Sequence, residues 1–170
     1  MRCKLFLAFA PVLLIAAHAA DNAPAPAKLN FPNVGFRINA LDEPAAEGTN
    51  TCLVMALPAS QGFVANINVN VQHYDKTMAD YIELSKKQFS TMGFKLLSEK
   101  TPAENEWTIE YTGDLQGRKM HWYARMVLFK GQVYQATGSA LEGQWSALSE
   151  KLKDCVTSLE IPAKTTPASK

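Results

Sequence analysis

The chain is poor in the side chains that most chemistry needs. It holds three cysteines and three histidines in 170 residues. Cys3 and His18 lie in an N-terminal segment with the layout of a cleaved signal, leaving Cys52, Cys155, His73 and His121. A catalytic zinc usually takes three protein ligands, and two histidines on separate segments fall short of that. His73-Tyr-Asp75 offers a nitrogen and an oxygen donor, but it ends a strand before a helix, where neighbouring side chains diverge. No metal or cofactor is expected. The two cysteines lack the CxxC spacing of a redox motif; in an oxidising compartment one long-range disulfide, Cys52 to Cys155, is expected instead. It would contribute about 4 kcal/mol on the chain-entropy argument.

Catalytic motifs are missing too. Gly138-Ser139-Ala140 runs into Leu141, so there is no G-x-S-x-G elbow, and no S-x-x-K occurs. The stretch Gly113 to Gly117 lacks the Lys-Ser/Thr of a phosphate loop and reads as a hairpin turn. Paired carboxylates acting on a sugar depend on spatial spacing, which a sequence does not display. A hydrolase is therefore the weakest of three readings of function. Basic clusters of five or more are also missing, which leaves no footprint for nucleic acid. Nor is there a basic amphipathic stretch suited to lying on a membrane.

Long apolar runs are scarce as well. The longest, Leu5 to Ala17, has 13 residues, while a membrane-spanning helix needs about 20. It follows Arg2 and Lys4 and precedes Ala17-His18-Ala19, the tripartite layout of a secretory signal peptide. Residues 1–19 are read as that signal. Lipoproteins place a cysteine directly after the apolar run, and none occurs there before Cys52. The expectation is thus a periplasmic or secreted protein without a membrane anchor. Losing Arg2 and Lys4 leaves 15 basic against 16 acidic side chains.

What is present is a pattern. Residues 20–30 carry an Ala-Pro repeat and read as an extended linker; residues 163–170 read as a frayed tail. Residues 31–162 form one patterned domain, of a size able to bury its own core. A short strand is expected near Gly35–Asn39, then strands over 51–59 and 62–74. In the second of these, Phe63, Ala65, Ile67, Val69 and Val71 alternate with Val64, Asn66, Asn68, Asn70 and Gln72. Such a strict period of two outweighs the low strand preference of asparagine.

A helix over 78–92 should follow, with Thr77 as N-cap, Asp80 completing a capping box and Gly93 as its stop. Strands over 93–99, 106–113, 119–130 and 132–139 come next. Ser139-x-x-Glu142 reads as a second capping box, opening a helix striped by Leu141, Trp145, Leu148, Leu152, Cys155, Val156 and Leu159. Strands in antiparallel runs broken by two helices define an α+β fold.

The order of these elements resembles the PsbP-like superfamily, including its DcrB-type envelope members. Asn66-Ile67-Asn68-Val69 precedes a helix with Asp80-Tyr81-Ile82. Val133-Tyr134, Thr137 and Ser139 then lead into a helix bearing Trp145 and ending near Val156-Thr157-Ser158-Leu159. The resemblance covers roughly 31–161 and implies a twisted antiparallel sheet with helices packed on its faces, an α/β/α sandwich. It further implies an accessory or assembly protein and not an enzyme, since the group includes photosystem subunits, a Ran-binding import factor and envelope proteins. The chain departs from bacterial relatives in lacking a lipid-attachment cysteine. Its short N-terminus does not match the binding segments of the photosystem members, so no site residue is carried over.

The interaction surface is read from alternation alone. Trp107, Ile109 and Tyr111, with Met120, Trp122, Ala124, Met126 and Leu128, should face the core. One polar sheet face would then gather Asn66, Asn68, Asn70, Glu110, His121, Tyr123 and Arg125, with Glu110 and Arg125 as a cross-strand pair. Tyr and Arg favour binding hot spots and asparagines add adaptable hydrogen bonds; the plainer reading is a solvated face. The leading expectation is an exported, non-enzymatic accessory or binding protein of the bacterial envelope, working by contact with a protein partner. The alternative is a carrier of a small apolar or amphipathic ligand held between helix and sheet.

Overall fold

The computed structural model describes residues 28–31, 35–39 and 49–161, in two compact units that divide after Pro44. The signal segment 1–19, most of the linker and the tail 163–170 lie outside the described residues. The described residues of the first unit form a hairpin of β1 (Lys28–Phe31) and β2 (Phe36–Asn39), paired antiparallel from Lys28 against Asn39 to Phe31 against Phe36. Residues 28–30, expected as the end of a linker, thus belong to a strand.

The second unit is a six-stranded antiparallel sheet with one helix on each face, an α+β architecture as expected. Its elements are β3 (Thr49–Ala56), β4 (Asn66–His73), α1 (Met78–Met92), β5 (Lys95–Lys100), β6 (Glu106–Leu115), β7 (Arg118–Phe129), β8 (Gln132–Leu141) and α2 (Glu142–Thr157). Across the sheet the order is β3-β4-β8-β7-β6-β5. β6, β7 and β8 form a meander, and the β3–β4 hairpin joins it through β4 against β8.

Local chemistry explains most of the boundaries. Thr77 Oγ1 accepts from the Asp80 backbone N–H at 3.2 Å, and the Asp80 carboxylate accepts from the Thr77 N–H at 3.2 Å, closing a reciprocal capping box. Gly93, at φ +69°, ends α1 in the left-handed conformation that glycine adopts without strain. The β6–β7 turn is tighter than the five residues expected. Leu115 pairs with Arg118, and only Gln116 and Gly117 bridge them, both at positive φ, as a two-residue turn between twisted strands requires.

The start of α2 corrects the sequence reading. Ser139 is not a cap. It is a buried residue of β8, paired with Asn66 on one side and Trp122 on the other. The β4 ladder ends at Ser139, and the β7 ladder carries the strand on through Ala140 and Leu141, so the strand outlasts the capping signal. The helix opens at Glu142, where Gln144 Oε1 accepts from the Leu141 N–H at 3.2 Å.

Each face of the sheet carries a core of its own, and this decides the later assignments. Beneath α1, Met78 and Tyr81 pack on Trp107, Ile109, Tyr111, Trp122 and Met126. Phe89, Phe94, Tyr111 and Trp122 form a chain of rings with centroids 4.7 to 5.9 Å apart. Beneath α2, Trp145, Leu152 and Val156 pack on Ala65, Ile67, Ala136 and Ala140. Gly138 is the point of closest approach there: a Cβ would stand 3.1 Å from Leu152 Cβ and 3.2 Å from Ile67 Cδ1.

Candidate functional site

The structure divides the expected interaction face in two. Asn66, Asn68 and Asn70 pair across β8 with Ser139, Thr137 and Gln135, which pair in turn with Trp122, Ala124 and Met126. The asparagines therefore share the α1 side of the sheet. Ile67 and Val69 pair with Gly138 and Ala136, which pair with Tyr123 and Arg125. Glu110 lies opposite Tyr123, and His121 lies two residues before it, so these four belong to the α2 side. Alternation within each strand is as read. The expected grouping fails because both faces carry a core, so a strand's apolar set does not mark one common side.

On the α2 side the polar residues are enclosed, not displayed. His121 is buried and stacked on Trp145, with ring centroids 3.9 Å apart and planes at 10°. Its Nε2 meets Glu110 Oε1 at 2.9 Å and its Nδ1 meets Glu142 Oε2 at 2.9 Å. Trp145 Nε1–H donates to Glu110 Oε1 at 3.0 Å, and Lys153 donates to Glu110 Oε2 at 2.8 Å. Burial pushes the Glu110 carboxyl up, but the hydrogen bonds from Lys153, His121 and Trp145, with the Lys153 charge, outweigh it and hold the group below its ordinary range. Lys153 also lies over the Tyr123 and Trp145 rings.

Arg125 is likewise committed inward, and it pairs with Glu106, not Glu110. It donates to Glu106 Oε1 at 3.1 Å and to the carbonyls of Thr157 and Leu159 at 3.0 and 2.6 Å. A cation on the last carbonyls of α2 suits the negative end of the helix. These contacts clamp α2 to the sheet. They present no nucleophile beside a base, and among the described residues no group of three or more His, Cys, Asp or Glu could hold a metal ion.

The α1 side is different. α1 covers β5 to β7 and leaves β3, β4 and Gln135 of β8 open, while Thr137 and Ser139 of β8 are buried. Thr51, Asn66, Asn68, Asn70 and Gln135 line this open strip, with Val54 beside them at 60% exposure. The side chains form a chain of hydrogen bonds. Thr51 donates to Asn70 Oδ1 at 2.8 Å, Asn70 donates to Asn68 Oδ1 at 3.2 Å, and Gln135 donates to Thr137 Oγ1 at 3.1 Å.

A groove of about 400 Å³ continues the strip under the edge of α1. Gln72, Gln88 and Gln135 meet Tyr74, Tyr81 and Phe89 there, over Trp107 and Tyr111. No Asp, Glu, Lys or Arg lines it. Burial pushes the Tyr81 phenol up, which keeps that hydroxyl a neutral donor, placed 3.4 Å from Gln135 Oε1. The neutrality begins in the sequence: from Gly48 to Tyr74 the chain has no charged residue other than what His73 could carry. That gap was the available signal for this site, beside the asparagine alternation.

The structure carries no bond between Cys52 and Cys155. Cys52 sits at a bulge of the exposed strand β3, between Thr51 and Leu53, while Cys155 is half-buried against the α2-side core. No helix among the described residues is long and apolar enough to cross a membrane.

No family model and no curated protein sequence matches this chain. Solved structures do. PA94 from Pseudomonas aeruginosa, a protein of unknown function, is similar with a TM-score of 0.59 at 16% identity, over 82% of this chain and 98% of that one. CyanoP, the cyanobacterial PsbP of Synechocystis sp. PCC 6803, is similar with a TM-score of 0.42 at 18% identity, over 62% and 79%. LpqN of Mycobacterium tuberculosis, involved in cell envelope biogenesis, is similar with a TM-score of 0.41 at 13% identity, over 68% and 83%. The likeness to PA94 shows a shared fold.

Proposed function

We propose that the chain is a non-enzymatic binding protein, exported to the bacterial envelope as a DcrB-type accessory factor, that contacts a protein partner through the open strip of β3, β4 and β8. One observation carries this reading. The strip is uncharged, rich in hydrogen-bonding side chains and left uncovered by α1, whereas the residues that could have made an acid–base centre are spent on holding α2. The N-terminal signal pattern supports export.

A photo-crosslinking residue at Val54, in cells expressing the full chain, tests the proposal. A discrete adduct with one envelope protein is expected, and the same probe at Lys151, on the exposed side of α2, should not give it. Absence of any Val54-specific adduct would sink the proposal.

The groove beside α1 favours a second reading, a carrier of a small amphipathic ligand, since its volume lies within the range of ligand pockets. Native mass spectrometry of gently extracted protein separates the two. A bound small molecule supports the carrier, and a clean apo mass argues against it.

A further inference from the structure

We infer that the open strip takes an extended, uncharged polypeptide segment of the partner and reads it through its backbone. This rests on the binding role proposed above and specifies what is bound. Alternate residues of a strand recur about every 6.8 Å, so Asn66, Asn68, Asn70 and Gln72 set out a row of side-chain amides at that repeat along β4. An extended peptide has the same repeat. The N–H and C=O of every second residue point to one side, as they do in a hydrogen-bonded strand pair. A primary amide carries an acceptor oxygen and a donor NH2, so one asparagine can pair with both groups of one peptide residue. Row and peptide match in period and in polarity.

The row is oriented and has capacity to spare. Thr51 fixes the Asn70 amide by donating to its oxygen, and Asn70 in turn donates to Asn68 Oδ1. Among the described residues the Asn68 NH2 then has no acceptor and the Asn66 carbonyl has no donor. Thr51 on β3 borders the row with a further hydroxyl. The absence of charge along the strip and the groove selects against charged segments, because an ion pressed onto neutral amides loses its water without gaining a counter-charge. Sequence tolerance follows, since backbone groups are common to every residue.

The test uses the full chain and immobilised peptides without Asp, Glu, Lys or Arg, long enough to span β4, followed by fluorescence anisotropy on the best binder. N-methylation of every second residue should abolish binding in one register and leave it largely intact in the other. The Asn68→Ala/Asn70→Ala double substitution should weaken binding about tenfold or more. Equal loss in both methylation registers, loss in neither, preference for charged peptides, or no peptide binding would each overturn the inference. So would saturable binding of neutral oligosaccharides alone, or self-association through this face seen by ultracentrifugation. The register comparison needs no protein variant, so it holds even if the double substitution misfolds. If Val54 crosslinks one partner but no peptide from that partner binds, the inference fails while the binding role stands; if Val54 crosslinks nothing, the binding role itself fails.

Discussion

Replacing Glu110 by leucine removes the acceptor on which three donors converge, from His121, Trp145 and Lys153. The side chains of His121 and Glu110 are 6% and 17% exposed, and Trp145 is 8% exposed, so water cannot readily replace the carboxylate. Each buried N–H left without a partner costs about 1–3 kcal/mol. Lys153 is 35% exposed and regains water, so its share is small. Leucine recovers about 1 kcal/mol through apolar contact with Trp145. A net loss of about 2–4 kcal/mol is expected, a large part of the stability of a domain this size. That corresponds to a fall in Tm of roughly 10 °C.

Urea denaturation followed by far-ultraviolet ellipticity and tryptophan fluorescence measures it, with the pH dependence as the sharper readout. The carboxyl is held below its ordinary range in the folded state, so its contribution is complete above the unfolded value, near pH 4–5. It is lost as pH falls through the lower folded value. The gap between wild type and Glu110→Leu should therefore be constant at neutral pH and shrink in acid. A gap under about 1 kcal/mol at pH 7, or one that widens in acid, refutes the account of this cluster.

Arg125→Ala should leave α2 in place but expose the backbone of residues 157–161 to faster hydrogen exchange, because the carbonyls of Thr157 and Leu159 lose their donor. Thr77→Ala should cost about 1 kcal/mol by chemical denaturation through loss of the α1 cap, and Thr77→Ser should recover most of it. Gly113→Ala should cost about 1–3 kcal/mol, because a Cβ there would run into the Phe94 ring, which is packed among Phe89, Tyr111 and Trp122. Thermal melts of the purified variant measure this, and a Tm equal to wild type contradicts the packing described.

The fold was legible where local signals and tertiary pairing agree. The bounds of α1 follow from Thr77, Asp80 and Gly93, and the alternation of β4, β6 and β7 separates the two sets of each strand, though not which set meets water. Ser139 shows the opposite case. A strong capping signal lost to a strand with partners on both sides, which no local pattern announces. The site was half legible for a related reason. Each strand declares two faces, but which face of β4 joins which face of β7 depends on the register through β8, a relation between residues far apart in the chain. Asn68 and Asn70 lie on the side of the sheet that α1 leaves open, whereas Glu110, His121 and Arg125 drew notice as polar residues and proved to be the fastening of α2.

The placement of β4 against β8 has a kinetic consequence. Their partners stand 59 to 73 positions apart, from His73 with Gln132 to Asn66 with Ser139, while β6, β7 and β8 join through short turns. Closing the long segment costs entropy before any contact rewards it, and pairings of this kind set the pace of folding. The β6–β8 meander can therefore form first, with the β3–β4 hairpin arriving last. A chain that crosses a membrane unfolded would pass through a stage with the rim of β8 bare, in need of either speed or a chaperone until β4 closes over it.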